Sequence, residues 1–119
     1  MYIIRKEFAF SAGHHLEGLP PEHPCSETHG HNYIVTAEFR STKLNKVGFV
    51  IDYRALAPIK NYIDTVLDHK DLNKVLSFNP TAENLAKHLY TEFKFSKKFH
   101  QLYAVEISET PKTMARYEH

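Results

Sequence analysis

The sequence predicts an α+β fold in which an antiparallel β-sheet carries two helices on one of its faces. Three observations lead to this prediction: alternating apolar segments at the N-terminal side, two central segments with helical periodicity, and two alternating segments at the C-terminal end. A chain of 119 residues is long enough for one ordinary domain. We therefore expect residues 1–119 to form a single domain.

The first two predicted strands place histidines on the face that packs on the core. Residues Tyr2–Ala12 alternate, and His14 shares the parity of their apolar set. The second strand spans about His29–Arg40, and His29 and His31 extend its apolar face because side chains recur with period two. Between these strands, the proline-rich segment 13–28 is predicted to be a long loop.

Three further strands are expected from shorter alternating segments. They span Val47–Ile51, Gln101–Glu109 and Thr113–Tyr117. In the second of these, Glu109 has the parity of Val105 and Ile107, which puts a carboxylate in line with the core face.

The two helices are predicted from apolar stripes at helical spacing. The first covers roughly Tyr53–Leu67 after Asp52. The second begins near Asn79 or Thr81, either of which can cap it, and Pro80 suits its first turn. Its buried stripe consists of Leu85, Ala86, Leu89 and Phe93.

Composition excludes several classes of function. Hydrophobic residues make up 42% of the chain, charged residues 24%, and the net charge is +1, which is typical of a folded globular protein. The sequence has no concentrated basic patch, which argues against nucleic acid or a membrane surface as partner. No apolar stretch is long enough to span a bilayer. The N-terminus lacks the apolar segment of a signal peptide, so we expect a cytoplasmic protein.

The single cysteine, Cys25, cannot form an internal disulfide. A lone cysteine is often a small buried apolar residue. Here it lies in a polar stretch shortly before a histidine pair, which favours a reactive thiol.

His14, His29 and His31 form a candidate zinc site. Each lies at the end of an apolar strand face, and three imidazoles leave a fourth position open, as in catalytic zinc sites. Nine histidines in one short chain make some clustering expected, so hydrogen-bonded core histidines are the alternative. The remaining histidines lack such a setting and are interpreted as surface residues: His15, His23, His88, His100 and His119.

Five stretches, in order along the chain, resemble one family of enzymes. They are Phe10–His14, Cys25–Tyr33, Leu67–Asn73, Asn79–Asn84 and Ser108–Thr110. The family is that of the 6-pyruvoyltetrahydropterin synthases and their bacterial relatives, the 6-carboxytetrahydropterin synthases. The resemblance implies the tunnelling fold, in which the sheets of three subunits close into a barrel and two trimers stack into a homohexamer.

The resemblance also implies roles for individual residues. It makes the three histidines Zn²⁺ ligands and Cys25 the catalytic proton acceptor. It makes Asp68 and His69 a proton relay that reaches the site from a neighbouring subunit. Glu109 is implied to anchor the pterin ring and to take part in catalysis, with Thr81 and Glu83 as further substrate-binding residues.

Within the family, the short spacing of three residues between Cys25 and His29 resembles the bacterial enzyme of queuosine (deazapurine) biosynthesis. That resemblance implies a lyase that converts 7,8-dihydroneopterin triphosphate to 6-carboxy-5,6,7,8-tetrahydropterin, with release of acetaldehyde and triphosphate. The alternative is a 6-pyruvoyl product from the same substrate. Glu27 could share or replace the role of Cys25 as base, because some branches of the family use a glutamate in this loop. A non-catalytic, zinc-stabilised binding module is the alternative from a different class.

Overall fold

A computed structural model describes all 119 residues and contains one four-stranded antiparallel sheet with strands in sequential order. The strands are β1 (Tyr2–His14), β2 (His29–Ser41), β3 (Leu102–Ser108) and β4 (Ala115–Glu118). The helices are α1 (Ala57–Tyr62), α2 (Leu72–Val75) and α3 (Ala82–Thr91). A 3₁₀ turn (Tyr53–Leu56) precedes α1, and π-helical turns follow α1 (Ile63–Leu67) and α3 (Glu92–Ser96). The predicted α+β class, with helices on one face of an antiparallel sheet, is confirmed.

The pairing of β1 with β2 decides where the histidines lie. The two strands pair along their whole length, with His14 opposite His29 and Ala12 opposite His31. Directly opposed residues in an antiparallel pair project from the same face of the sheet. The three imidazoles therefore lie together at one end of the core face, as the parity of the two strands predicts.

A single hydrophobic core fills the space between the sheet and the helices. It contains 24 buried residues, most of them from the apolar face of the strands and from the helices and helical turns between Tyr53 and Ser96. Phe10 stacks on Tyr33 with ring centroids 4.6 Å apart, directly below the histidine end. The predicted stripe of the second helix is buried: Leu85, Ala86, Leu89 and Phe93. No helix is both long and apolar enough to cross a membrane.

The opposite face of the sheet carries an ionic network. The carboxylates of Glu38 and Glu106 are buried there, and the guanidinium groups of Arg5 and Arg116 contact both of them. Arg40 also donates to Glu38 at 2.9 Å. The hydrogen bonds from Arg116 hold the pKa of Glu38 below its ordinary value.

The predicted strand Val47–Ile51 is wrong. The side-chain oxygen of Asn45 accepts hydrogen bonds from the N–H groups of Val47, Gly48 and Phe49, so these donors are already used in a turn. Gly48 has a φ of +102°, which interrupts the extended conformation that a strand requires. The segment is a loop that joins β2 to the first helical turn.

Two further local features differ from the sequence-based expectation. The sequence patterns do not indicate helix α2; its four residues begin after Asp71, whose side chain caps the helix by accepting from the N–H of Asn73. The surface interpretation is also wrong for His88, which is half-buried. The hydroxyl of Tyr62 lies 2.8 Å from Nε2 of His88, and burial lowers the pKa of this histidine.

Candidate metal centre and active site

The three predicted histidines meet at the end of the β1–β2 pair. One ring nitrogen from each of His14, His29 and His31 lies within 4.8 Å of the others. The Nε2 atoms of His14 and His29 are 3.1 Å apart, and the three rings meet edge-on. Two nitrogens bound to one tetrahedral Zn²⁺ would be separated by roughly 3.4 Å, given zinc–nitrogen bonds of about 2.1 Å. The spacing therefore fits a metal ion.

Backbone carbonyls orient two of these imidazoles. Nδ1 of His14 lies 2.9 Å from the carbonyl oxygen of Pro80, and Nδ1 of His29 lies 2.8 Å from that of Glu27. Each Nδ1–H can donate to its carbonyl, which leaves the two Nε2 lone pairs facing one another without a proton between them. A cation bound between two such lone pairs would stabilise this arrangement. Carbonyl partners of this kind are typical of metal-bound histidines.

The side chain of His14 is completely buried. Burial lowers the pKa of this histidine, which favours the neutral imidazole that binds a metal. The hydroxyl of Tyr33 lies 3.2 Å from Nδ1 of His14 and adds a second oxygen behind the ring. Sequence reasoning missed this contact, although strand periodicity places Tyr33 beside His31 on the same face.

Glu109 completes the polar lining of the site. It follows the last residue of β3, and its Oε2 lies 3.0 Å from Nε2 of His31 and 3.6 Å from Nε2 of His14. It also borders a cavity of about 280 Å³ together with Glu83. Thr81, which the resemblance implied as a substrate contact, caps α3 by accepting from the N–H of Asn84 at 3.1 Å.

Cys25 lies in a short 3₁₀ turn (Pro24–Ser26) and is half-buried. Its N–H donates to Nδ1 of His23 at 3.1 Å, and its carbonyl accepts from the N–H of Leu16 at 2.7 Å. The thiol is not part of the histidine cluster. The side chain of Glu27 is exposed, so this residue contacts the centre through its carbonyl alone.

Asp68 and His69 lie along the outer edge of β1. One carboxylate oxygen of Asp68 accepts from the N–H of Ser11 at 2.9 Å, and the other lies 3.0 Å from Nδ1 of His69. These contacts, the Ser11 bond foremost, lower the pKa of Asp68. The side chain of His69 is 82% exposed, and neither residue joins the histidine cluster of its own chain.

The fold and this site define a small α+β protein with a candidate three-histidine metal centre, bordered by a carboxylate and a cavity. The chain belongs to the 6-pyruvoyl tetrahydropterin synthase family, whose model matches residues 3–119. The family resemblance carried by the five sequence stretches is thereby confirmed.

Individual relatives agree with this assignment. The chain is 33% identical to a 6-carboxy-5,6,7,8-tetrahydropterin synthase of Synechocystis sp. over 98% of its own length and 93% of that protein. It is also 33% identical to a 6-pyruvoyl tetrahydrobiopterin synthase of Drosophila melanogaster, over 98% of its length and 78% of the relative. The solved structure of Caenorhabditis elegans 6-pyruvoyl tetrahydropterin synthase superposes with a TM-score of 0.87 at 28% identity, covering 99% of this chain and 95% of that one.

Proposed function

We propose that this protein is a lyase that converts 7,8-dihydroneopterin triphosphate to 6-carboxy-5,6,7,8-tetrahydropterin and releases acetaldehyde and triphosphate. The observation that carries the proposal is the convergence of three imidazole nitrogens beside the carboxylate of Glu109. The Synechocystis relative bears the name of this enzyme, as do several others, including a putative one from Archaeoglobus fulgidus. The short spacing between Cys25 and His29 also supports this branch of the family.

We propose Zn²⁺ as the metal, held by His14, His29 and His31. Nitrogen ligands with an open fourth position suit Zn²⁺, which would stabilise negative charge on substrate oxygens as a neighbouring C–H bond loses its proton. The carbonyls of Pro80 and Glu27 support this role because they keep two ligands in the tautomer with a free Nε2.

Cys25 is the proposed base for that proton. Its half-buried position in the loop that joins the metal-binding strands supports the assignment. Glu27 is the alternative base. The two can be separated with matched variants: Cys25→Ala should abolish turnover and Glu27→Gln should leave most of it. The reverse result would transfer the role to Glu27.

Glu109 is the proposed anchor for the pterin ring. A carboxylate at the border of a cavity can accept two parallel N–H bonds from an aminopyrimidine edge. Glu83 borders the same cavity and is a second candidate contact. Thr81 completes this proposed set, and its capping of α3 would fix the cavity wall on which Glu83 lies.

We propose that Asp68 and His69 act on the metal centre of a neighbouring copy in a homohexamer, a dimer of trimers located in the cytoplasm. Their position outside the cluster and the exposure of His69 support this arrangement. Mixing two inactive variants tests it: His14→Ala lacks the metal site and His69→Ala lacks the relay. Activity should return when the subunits are allowed to exchange, and its absence after verified exchange would contradict the shared site.

The second candidate is the 6-pyruvoyl reaction on the same substrate, which the Drosophila relative's name favours. Incubating the zinc-loaded protein with 7,8-dihydroneopterin triphosphate and identifying the products by mass separates the possibilities. Acetaldehyde with a carboxypterin supports the proposed function, whereas a pyruvoyl product supports the second candidate. Unchanged substrate would reject both and favour a non-catalytic module.

A further inference from the structure

Two asparagine side chains hold the segment that directly follows β1. The side-chain oxygen of Asn73 accepts from the N–H of His15 at 2.8 Å, and its amide nitrogen donates to the carbonyl of His15 at 3.0 Å. Asn79 makes the same pair of bonds with Glu17, at 2.9 and 3.1 Å. Four hydrogen bonds from two side chains thus fix one edge of residues 15–17.

This pattern imitates the pairing of a β-strand. A carboxamide carries one acceptor oxygen and N–H donors, so it can satisfy a backbone N–H and C=O as a partner strand would. Extended residues bond alternately to the two sides, and the residue between the paired ones, Leu16, donates its N–H in the other direction. Its acceptor is the carbonyl of Cys25, at 2.7 Å.

The hydrogen bond from the N–H of Leu16 to the carbonyl of Cys25 is the one backbone hydrogen bond between the turn Pro24–Ser26 and the segment that follows β1. The other backbone hydrogen bonds of this turn stay within the loop, which contains Gly18 and three prolines and has no strand partner of its own. The position of Cys25 therefore depends on a segment that is itself held by Asn73 and Asn79.

Both asparagines are in turn held by their surroundings. The N–H of Asn73 donates to the side chain of Asp71 at 3.1 Å, at the start of α2. The carbonyl of Asn79 accepts from the N–H of Thr81 and from the side chain of Asn84, both at 2.9 Å, at the start of α3. We call the side chains of Asn73 and Asn79, together with their four hydrogen bonds to residues 15–17, the asparagine clamp. The clamp connects the starts of α2 and α3 to the loop that carries the thiol.

We propose that Asn73 and Asn79 are positioning residues that set the location of the Cys25 thiol relative to the metal centre. The proposal deepens the proposed function, since it rests on Cys25 acting in the reaction. Neither asparagine forms a hydrogen bond to the three histidines, and the carbonyls that orient His14 and His29 belong to Pro80 and Glu27. Loosening the clamp should therefore affect the thiol more than metal binding.

The experiment uses the zinc-loaded full chain and its single thiol. Iodoacetamide labels only Cys25, so mass spectrometry reports the rate of labelling at one known position. Asn73→Ala should raise the labelling rate several-fold at temperatures well below its Tm, because the half-buried thiol becomes accessible. It should lower kcat by about tenfold or more with little change in KM, since misplacement of a reacting group acts on the chemical step.

Three further variants complete the design. Asn79→Ala should resemble Asn73→Ala. Asn73→Asp keeps the acceptor for the N–H of His15 and loses the donor, so its labelling rate and kcat should lie between those of wild type and Asn73→Ala. Asn45→Ala is the matched control, because Asn45 also binds backbone N–H groups but lies in the loop after β2. It should lower Tm at most, with labelling and kcat unchanged.

Folded, zinc-containing Asn73→Ala and Asn73→Asp with wild-type labelling rates would overturn the inference, as would equal effects in Asn45→Ala. A failure of the proposed function can be distinguished from a failure of this inference. If wild type does not turn over the pterin triphosphate, the labelling rates still decide whether the asparagines position Cys25.

Discussion

The first prediction concerns the candidate metal centre and the variant His14→Ala. Four-ligand structural zinc sites have apparent binding free energies of about 10–16 kcal/mol, so one protein ligand contributes about 2.5–4 kcal/mol. Losing His14 should therefore weaken Zn²⁺ binding by about two to three orders of magnitude. The imidazole is completely buried and its Nε2 lies 3.1 Å from that of His29, so the variant loses a nitrogen ligand from the centre of the cluster.

The same variant also affects stability without metal. It leaves the carbonyl of Pro80 without its side-chain partner and removes buried volume, which should cost about 1–3 kcal/mol in the free energy of unfolding. Zinc affinity is measured by competition with a chromophoric chelator, and unfolding of the apo-protein by urea. His88→Ala is the matched control, because His88 is half-buried with one Tyr62 partner and lies outside the cluster.

His29→Ala is the second cluster variant, for the case in which His14→Ala does not fold. The His29 side chain is less buried, so its loss should disturb the fold less. The variant should lose a similar amount of zinc affinity. The reasoning is refuted if both cluster variants remain folded and bind Zn²⁺ within about threefold of wild type. An equal loss in His88→Ala would equally contradict it.

Three other predictions test the site and the sheet. Glu109→Gln should raise the KM for the pterin substrate by about tenfold or more in steady-state assays, because one charge-assisted acceptor is lost; an unchanged KM would remove Glu109 as anchor. Chelation should leave the far-ultraviolet circular dichroism unchanged, since the 24-residue hydrophobic core contains none of the three proposed ligands; unfolding would favour the binding-module alternative. Glu38→Gln should cost about 2 kcal/mol near pH 7, because it removes charge-assisted bonds to three arginines. The folded-state pKa of Glu38 is lowered, so its contribution is present above the unfolded-state pKa and is lost as pH falls through the folded-state value. The difference from wild type in urea unfolding should therefore shrink at acidic pH, and a constant difference would contradict this account.

Local patterns predicted the fold where neighbouring residues alone specify it. The parity of Tyr2–Ala12 and of His29–Arg40 depends only on the period of a strand, and it correctly gave the face on which His14, His29 and His31 lie. The same reasoning failed for Val47–Ile51, because a single side chain, Asn45, competes for the backbone donors of that segment.

The sequence by itself determined that an antiparallel sheet carries helices on one face, that His14, His29 and His31 share the core face, and to which family the chain belongs. Only the tertiary structure decided which backbone carbonyl orients which imidazole. The carbonyl of Pro80 lies 66 residues from His14 along the chain, and no periodic pattern encodes such a contact. The asparagine clamp on residues 15–17 has the same character, because it depends on where α2 and α3 begin once they have packed against β1 and the core.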